Sequence, residues 1–355
     1  MTQRNTTTAN TSAESGSETA DVDVIVIGAG MGGLYAVHRL RDNLGLRVQA
    51  FEAASGVGGT WYWNRYPGAR TDSPYTAYRY SWSDDLVRDW TWTERYPSQP
   101  EVLKYLEFVA DRLDLRRSYC FNARVTAAEY DDTTNTWTVR TADGTAATSK
   151  FLVSALGLVS APITPTIHGL DTFAGTVIQA STWPHEDIDF TGRRVALIGT
   201  GSTGIQILPI IAPQADAATV FQRTPNYVVP AQNRTLTDQD ITDLRTPHRD
   251  IAKQLRQHPF ALPIATVGMN AVAVDEQTRE RIYEQAWNKG GFHFLFETFD
   301  DVAVDDTANE TACELIRNKI RAIVNDPDVA ERLTPKGYTY GAQPPTRGDR
   351  LLRSL

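Results

Sequence analysis

Apolar residues follow two rhythms along this chain. Four short runs read as buried strands: Asp23-Val-Ile-Val-Ile, Arg47-Val-Gln-Ala-Phe-Glu, Arg194-Val-Ala-Leu-Ile and Ala218-Thr-Val-Phe-Gln-Arg-Thr. After the first and third, a cluster of glycines leads into apolar residues at helical spacing, as in Leu34-Tyr-Ala-Val-His-Arg-Leu. From about Thr235 to Asp328 the rhythm is helical, as in Glu314-Leu-Ile-Arg-Asn-Lys-Ile-Arg-Ala-Ile-Val. Strand, turn and helix in that order, twice, predict an α/β protein.

The glycines give the turns their chemistry. Gly28, Gly30 and Gly33 fit GxGxxG between strand and helix, a spacing that allows a tight turn and close approach of the backbone to a pyrophosphate. Glu52 ends the next strand, where a carboxylate accepts hydrogen bonds from ribose hydroxyls and repels a 2′-phosphate, so this half suits FAD or NAD better than NADP. Gly199, Gly201 and Gly204 repeat the spacing, and here the following strand ends in Arg223 and Thr224. A guanidinium and a hydroxyl complement a 2′-phosphate, which predicts NADPH; the plainer reading of Arg223 is a solvated charge at a strand end. The fold expected is therefore α/β, with two Rossmann-like dinucleotide-binding domains, for FAD and NADPH. Such a pair implies hydride passing from nicotinamide to flavin.

Composition narrows the class. A chain of 355 residues, 41% hydrophobic, has room for two or three domains, and a net charge of −8 opposes a general nucleic-acid or anionic-membrane role. The two cysteines, Cys120 and Cys313, form no CxxC, so a thiol-disulfide reductase is excluded, and no Cys/His spacing suggests a metal. Residues 1–20 are small and polar without the apolar core of a signal peptide, and no run is long enough to span a bilayer; a disordered leader and a cytoplasmic protein are expected.

Gly58-Gly-Thr-Trp-Tyr-Trp-Asn-Arg-Tyr-Pro-Gly-Ala-Arg-Thr-Asp, Phe173-Ala-Gly-Thr-Val-Ile-Gln-Ala-Ser-Thr-Trp-Pro, Phe221-Gln-Arg-Thr-Pro-Asn-Tyr and Trp287-Asn-Lys-Gly-Gly-Phe-His-Phe-Leu-Phe-Glu-Thr-Phe add more. With the paired glycine motifs, they make the chain resemble the Baeyer–Villiger monooxygenases from about Val22 to about Tyr340, the cyclohexanone monooxygenase branch above all. The resemblance implies an FAD- and NADPH-dependent enzyme that uses O2 to turn ketones, cyclic ones included, into esters or lactones, on a fold with a helical insertion and an incomplete C-terminus. It implies that Asp72 sits near the flavin and pairs with a catalytic arginine; the plainer reading of Asp72 is a helix N-cap or turn aspartate before Ser-Pro. Gly59, Thr60, Trp61 and Tyr78 join the flavin set, and Thr200, Ser202, Thr203 and Gln206 the nicotinamide set. Trp63 is expected in the core. Phe292, Phe294 and Phe296 fit a substrate-facing surface or, more simply, core packing.

Two departures from the family stand out. Its linker fingerprint has histidine where this chain has Gln179, between Phe173, Gly175 and Trp183. Glutamine hydrogen-bonds but cannot change charge near neutral pH, so flavin reduction is expected with impaired coupling to oxygenation. The family's Gly-Ala-Lys-Arg-Pro-Pro, source of that arginine, reads Gly341-Ala-Gln-Pro-Pro, and the ensuing Asp349-Arg-Leu-Leu-Arg is what bases encoding the family's Thr-Gly-Tyr-Tyr-Glu spell one position out of frame. A frameshifted tail and impaired activity are expected, with an uncoupled NADPH oxidase, an inactive nucleotide-binding fragment, or a sulfide- or amine-oxygenating relative as the other readings. The expected division is a leader over 1–20, an FAD domain over 21–158, a linker over 159–184, the first part of an NADPH domain over 185–234, a helical insertion over 235–330, and a return to the NADPH domain with an aberrant tail over 331–355.

Overall fold

The computed structural model describes residues 20–245, 248–258, 261–262, 264–342 and 346–347. The leader over 1–19 and the tail positions Gln343, Pro344, Pro345 and 348–355 lie outside the described residues. Contacts divide the chain into two units. One is the chain up to Gly59 with Ala110–Ser160; the other is Thr60–Val109 with the chain from Ala161 on.

The first unit is built on a six-stranded sheet. Its members are β1 (Val22–Ile27), β2 (Val48–Phe51), β3 (Tyr119–Cys120), β4 (Val125–Asp131), β5 (Thr136–Thr141) and β6 (Ala146–Ser154), in the order β3-β2-β1-β6-β5-β4. β3, β2, β1 and β6 run parallel, while β5 and β4 are antiparallel additions. Val24, Ile25 and Val26 are at most 1% exposed, as an apolar run in a central parallel strand requires. Each such side chain stabilises the fold by about 1.5–3 kcal/mol. The register of β1 on β2 pairs Ile27 with Phe51, so the two strands end level and their next residues, Gly28 and Glu52, emerge side by side.

The second unit repeats this arrangement in smaller form. β7 (Arg194–Ile198) runs parallel to β8 (Ala217–Phe221), Ile198 pairs with Phe221, and the helix Ser202–Ile211 follows the glycine turn. The backbone N–H of Gly199 donates to Phe221 O at 2.9 Å, as that of Gly28 does to Phe51 O at 2.8 Å in the first unit. Ile198 and Phe221 remain exposed.

The helical rhythm from Thr235 onward becomes the helices Asp238–Arg245, His248–Gln257, Glu276–Lys289, Asp306–Ile323 and Pro327–Leu333. Asp275, Asp305 and Asp326 cap three of them by accepting N–H bonds from the first turn, each cap contributing about 1 kcal/mol. Ala312, Cys313, Ile316 and Ile320, spaced to share a helix face, meet Tyr283 and Phe294 in the core. Phe294 is fully buried there, so of the three phenylalanines it serves packing. Trp63 departs from expectation: it is 37% exposed, because the four-residue helix Thr60–Trp63 turns its indole outward beside the Tyr62 ring. Among the described residues no helix is long and apolar enough to cross a membrane.

Candidate functional site

The glycines of the first turn are fixed by contact. Gly28 adopts φ +106°, and a Cβ there would lie 2.5 Å from Ala155 O. A Cβ on Gly33 would fall 1.9 Å from Gly28 O, so the Met31–His38 helix presses on the turn as only glycine permits. Gly59, also left-handed, packs on Gly30, where a Cβ would meet Gly30 Cα at 2.7 Å. Gly30 is the N-cap of this helix and, as glycine, brings no side chain to cap it. A helix start lined by glycine fits a pyrophosphate.

Glu52 is buried beside this turn. Its Oε2 accepts the Ala29 N–H and its Oε1 the Ala54 N–H, each at 2.7 Å. The carboxylate thus ties the glycine turn to the end of β2, and each oxygen keeps a second lone pair for a ribose hydroxyl.

The second turn has the same geometry with a more open surround. A Cβ on Gly204 would lie 2.3 Å from Gly199 O, whereas nothing stands within 4 Å of one on Gly201, the helix N-cap. Among the described residues glycine at 201 answers to no protein neighbour, which fits a ligand lying against it. Thr200 Oγ1 donates to Gln222 Oε1 at 3.4 Å, and Ser202 begins the helix. Arg223 and Thr224 stand exposed just past β8. Gln206 turns its amide away from the solvent face: it is buried and bonded to Tyr66 and Arg70.

Those two residues belong to the segment that carries Asp72. Thr60 and Trp61 start its short helix; the Trp61 carbonyl accepts from Gln99 Nε2, and the Trp61 ring meets Tyr78 edge-on at 5.5 Å between centroids. Burial pushes the Tyr78 hydroxyl up to about 12, and the Asp72 charge adds to the effect. Tyr66 is raised too, by burial first, opposed by the hydrogen bond from Thr203 and helped by the Asp72 charge. Asp72 is half-buried, and the N-cap of the helix that follows is Pro74, so Asp72 is not that cap. Tyr66 and Gln99 were not among the sequence candidates. Tyr66 stands inside the Tyr-Pro-Gly pattern, but nothing in the sequence around Gln99 signals its bond.

Two family profiles match the chain: an NAD(P)-binding Rossmann-like domain over residues 26–90, and L-lysine 6-monooxygenase/L-ornithine 5-monooxygenase over residues 69–300. A Baeyer–Villiger monooxygenase of Pseudooceanicola batsensis is 46% identical over 326 residues, covering 92% of this chain and 59% of its own length. A cyclohexanone 1,2-monooxygenase of an Acinetobacter species is 43% identical, with 92% of this chain and 60% of the relative covered. The chain belongs to the Baeyer–Villiger monooxygenase family. Among solved structures, a complex of OTEMO with FAD and NADP superposes with a TM-score of 0.91 at 37% identity, covering 95% of this chain and 64% of that one. The chain spans about 60% of the length of these curated relatives.

Within this Baeyer–Villiger monooxygenase chain the fingerprint linker is held by its unusual residue: Gln179 Nε2 donates to Ile163 O at 3.0 Å. A neutral histidine ring could make the same bond, so glutamine preserves the tether and removes only its titration. His185 is exposed and lies edge-on to Tyr62. Among the described residues no group of three His, Cys, Asp or Glu side chains could hold a metal ion.

Proposed function

We propose that this chain holds FAD in the first cradle and NADPH in the second, and serves the oxygenation of a ketone, a cyclic one above all, to an ester or lactone. The observation that carries the reading is the repeated cradle. In both turns a Cβ on the third glycine would fall within 2.3 Å of the carbonyl oxygen of the first, a contact no side chain tolerates, and the helix that follows is capped by a glycine. The acid at the end of β2 and the cation beyond β8 then support opposite preferences for a 2′-phosphate.

When bound, the two cofactors supply hydride and oxygen activation. The residues supply the rest. Gly28, Gly30, Gly33 and Gly59 give the pyrophosphate of FAD a surface free of side chains, and Glu52 accepts from ribose. Thr60, Trp61, Tyr78 and Asp72 form the flavin-side group, with Asp72 as the carboxylate that orients a cation beside the reacting centre. Gly199, Thr200, Gly201, Ser202, Thr203 and Gly204 receive the NADPH pyrophosphate, Gln206 stands behind them, and Arg223 and Thr224 take the 2′-phosphate. The functional division at 21–158, 159–184, 185–234 and 235–330, and a cytoplasmic site of action where NADPH is supplied, belong to the same reading.

One sequence feature favours a second reading. Gln343 and Pro344 stand where the family has its Lys-Arg pair, so the chain is expected to oxidise NADPH with poor coupling to product. The test is anaerobic mixing of FAD-reconstituted chain with NADPH, then aeration with cyclohexanone. Loss of flavin absorbance with lactone formation supports the ketone oxygenase, and loss without lactone supports the oxidase. No bound FAD, or no loss of absorbance, overturns both.

A further inference from the structure

Arg70 is an edge that another residue completes. It forms an antiparallel bridge with Ser98, through Gln99 N–H to Ala69 O at 2.8 Å and Thr71 N–H to Pro97 O at 3.0 Å. In this kind of bridge the N–H and C=O of Arg70 itself point away from the partner strand. Left open, they would be two unpaired backbone groups in a partly buried place. The side chain of Gln206 supplies both partners: its Oε1 accepts the Arg70 N–H at 3.4 Å and its Nε2 donates to Arg70 O at 3.3 Å. The same Oε1 accepts the Tyr66 hydroxyl at 3.0 Å. Thr203, one turn earlier on the helix, donates to Tyr66 Oη at 3.5 Å. Gly68 lies against the helix backbone, where a Cβ would be 2.3 Å from Gln206 O.

A carboxamide that mimics a β-strand reads main chain rather than side chain. It therefore fixes position, not identity. The helix that bears it starts at the second cradle, three residues after Gly199, and Arg70, the residue it grips, stands two residues before Asp72.

We propose that Gln206 is a positioning residue that couples the second cradle to the Asp72 segment. When a dinucleotide settles on the start of the Ser202–Ile211 helix, Gln206 holds Tyr66–Thr71, and with it Asp72, in one register. This rests on the assignment of NADP(H) to that cradle. Gln206 acts through Tyr66 and Arg70, the two residues bonded to its amide.

The test is hydrogen–deuterium exchange of the full chain, with and without NADP+, read on segments 66–71 and 199–206 in wild type, Q206L and Q206E. Without ligand, segment 66–71 is expected to exchange about tenfold faster in Q206L, the scale of losing a bonded pair to a backbone group. NADP+ is expected to slow both segments in wild type but only 199–206 in Q206L. Q206E fills the same space, so it carries the test if Q206L does not fold; it turns an oxygen toward Arg70 O and should uncouple the segments likewise. Unchanged exchange of 66–71 without ligand, or NADP+ protection of 66–71 that survives both substitutions, overturns the proposal. Protection of neither segment in wild type removes the cofactor assignment and the coupling with it, whereas loss of coupling with 199–206 still protected leaves the assignment standing.

Discussion

A methyl group on Gly33 would lie 1.9 Å from the carbonyl oxygen of Gly28, while one on Gly201 would meet nothing within 4 Å among the described residues. The two glycines stand in equivalent motifs for different reasons, one for packing and one for a ligand. Gly33→Ala should therefore cost about 1–3 kcal/mol of stability, the usual cost of overpacking, along with FAD binding. Gly201→Ala should leave the melting temperature within about a degree or two of wild type while weakening NADPH binding severalfold or more. Thermal melts and cofactor titrations of both variants check this; equal destabilisation by the two changes contradicts it.

Arg223 has no ion-pair partner among the described residues and is exposed. If it meets the 2′-phosphate, Arg223→Ala loses a hydrogen bond to a charged group, about 1.5–3 kcal/mol, or roughly 10- to 150-fold in NADPH affinity. NADH affinity should hardly move. An equal loss for both cofactors would assign Arg223 to general electrostatics.

Glu52 receives one backbone N–H on each oxygen, and both bonds are 2.7 Å long. Glu52→Gln keeps the shape but must turn an NH2 group toward one of those donors. The unsatisfied N–H makes a loss of about 1–3 kcal/mol the expected result of chemical denaturation, even without cofactor. Unaltered stability would show that the carboxylate is not needed to tie the turn to β2.

His293 links charges of both signs within the helical region. Its Nε2 faces Arg95 Nη2 at 2.8 Å and its Nδ1 faces Glu297, whose other oxygen is bonded to Lys289 Nζ at 2.5 Å. Arginine can only donate and an ionised carboxylate only accept, so the ring is neutral with its proton on Nδ1. Burial holds its pKa below the ordinary 6.5, helped by Arg95 and Lys289 and opposed by Glu297. The unfolded chain then binds the proton first as pH falls. This contribution to stability is complete above pH 6.5 and declines as pH drops from 6.5 toward the lowered value. His293→Asn should flatten that part of the stability profile relative to wild type; identical slopes below pH 6.5 would contradict the account.

Much of the fold was legible because β1, β2, β7 and β8 are apolar runs bounded by glycine or charge, and such runs have few alternative uses. The cradles were legible for a related reason: GxGxxG is a steric statement, and the close contacts at Gly33 and Gly204 are what it states. The grip of Gln206 on Arg70 was hidden, since the contact joins residues 136 positions apart and glutamine near a helix start has no fixed partner. Trp63 was misjudged because an indole in a four-residue helix has too little helix to define a buried face. The bond from Gln179 to Ile163 O could not be read from a motif that names histidine, although the chemistry of one donor serves for both.

The most direct test of the central claim is the absorbance of FAD-reconstituted chain near 450 nm after anaerobic addition of NADPH. If the two cradles hold the two cofactors as proposed, the band is lost with NADPH and far more slowly with NADH at equal concentration. A bound flavin whose band is unmoved by NADPH, or lost equally fast with either nucleotide, would contradict the account.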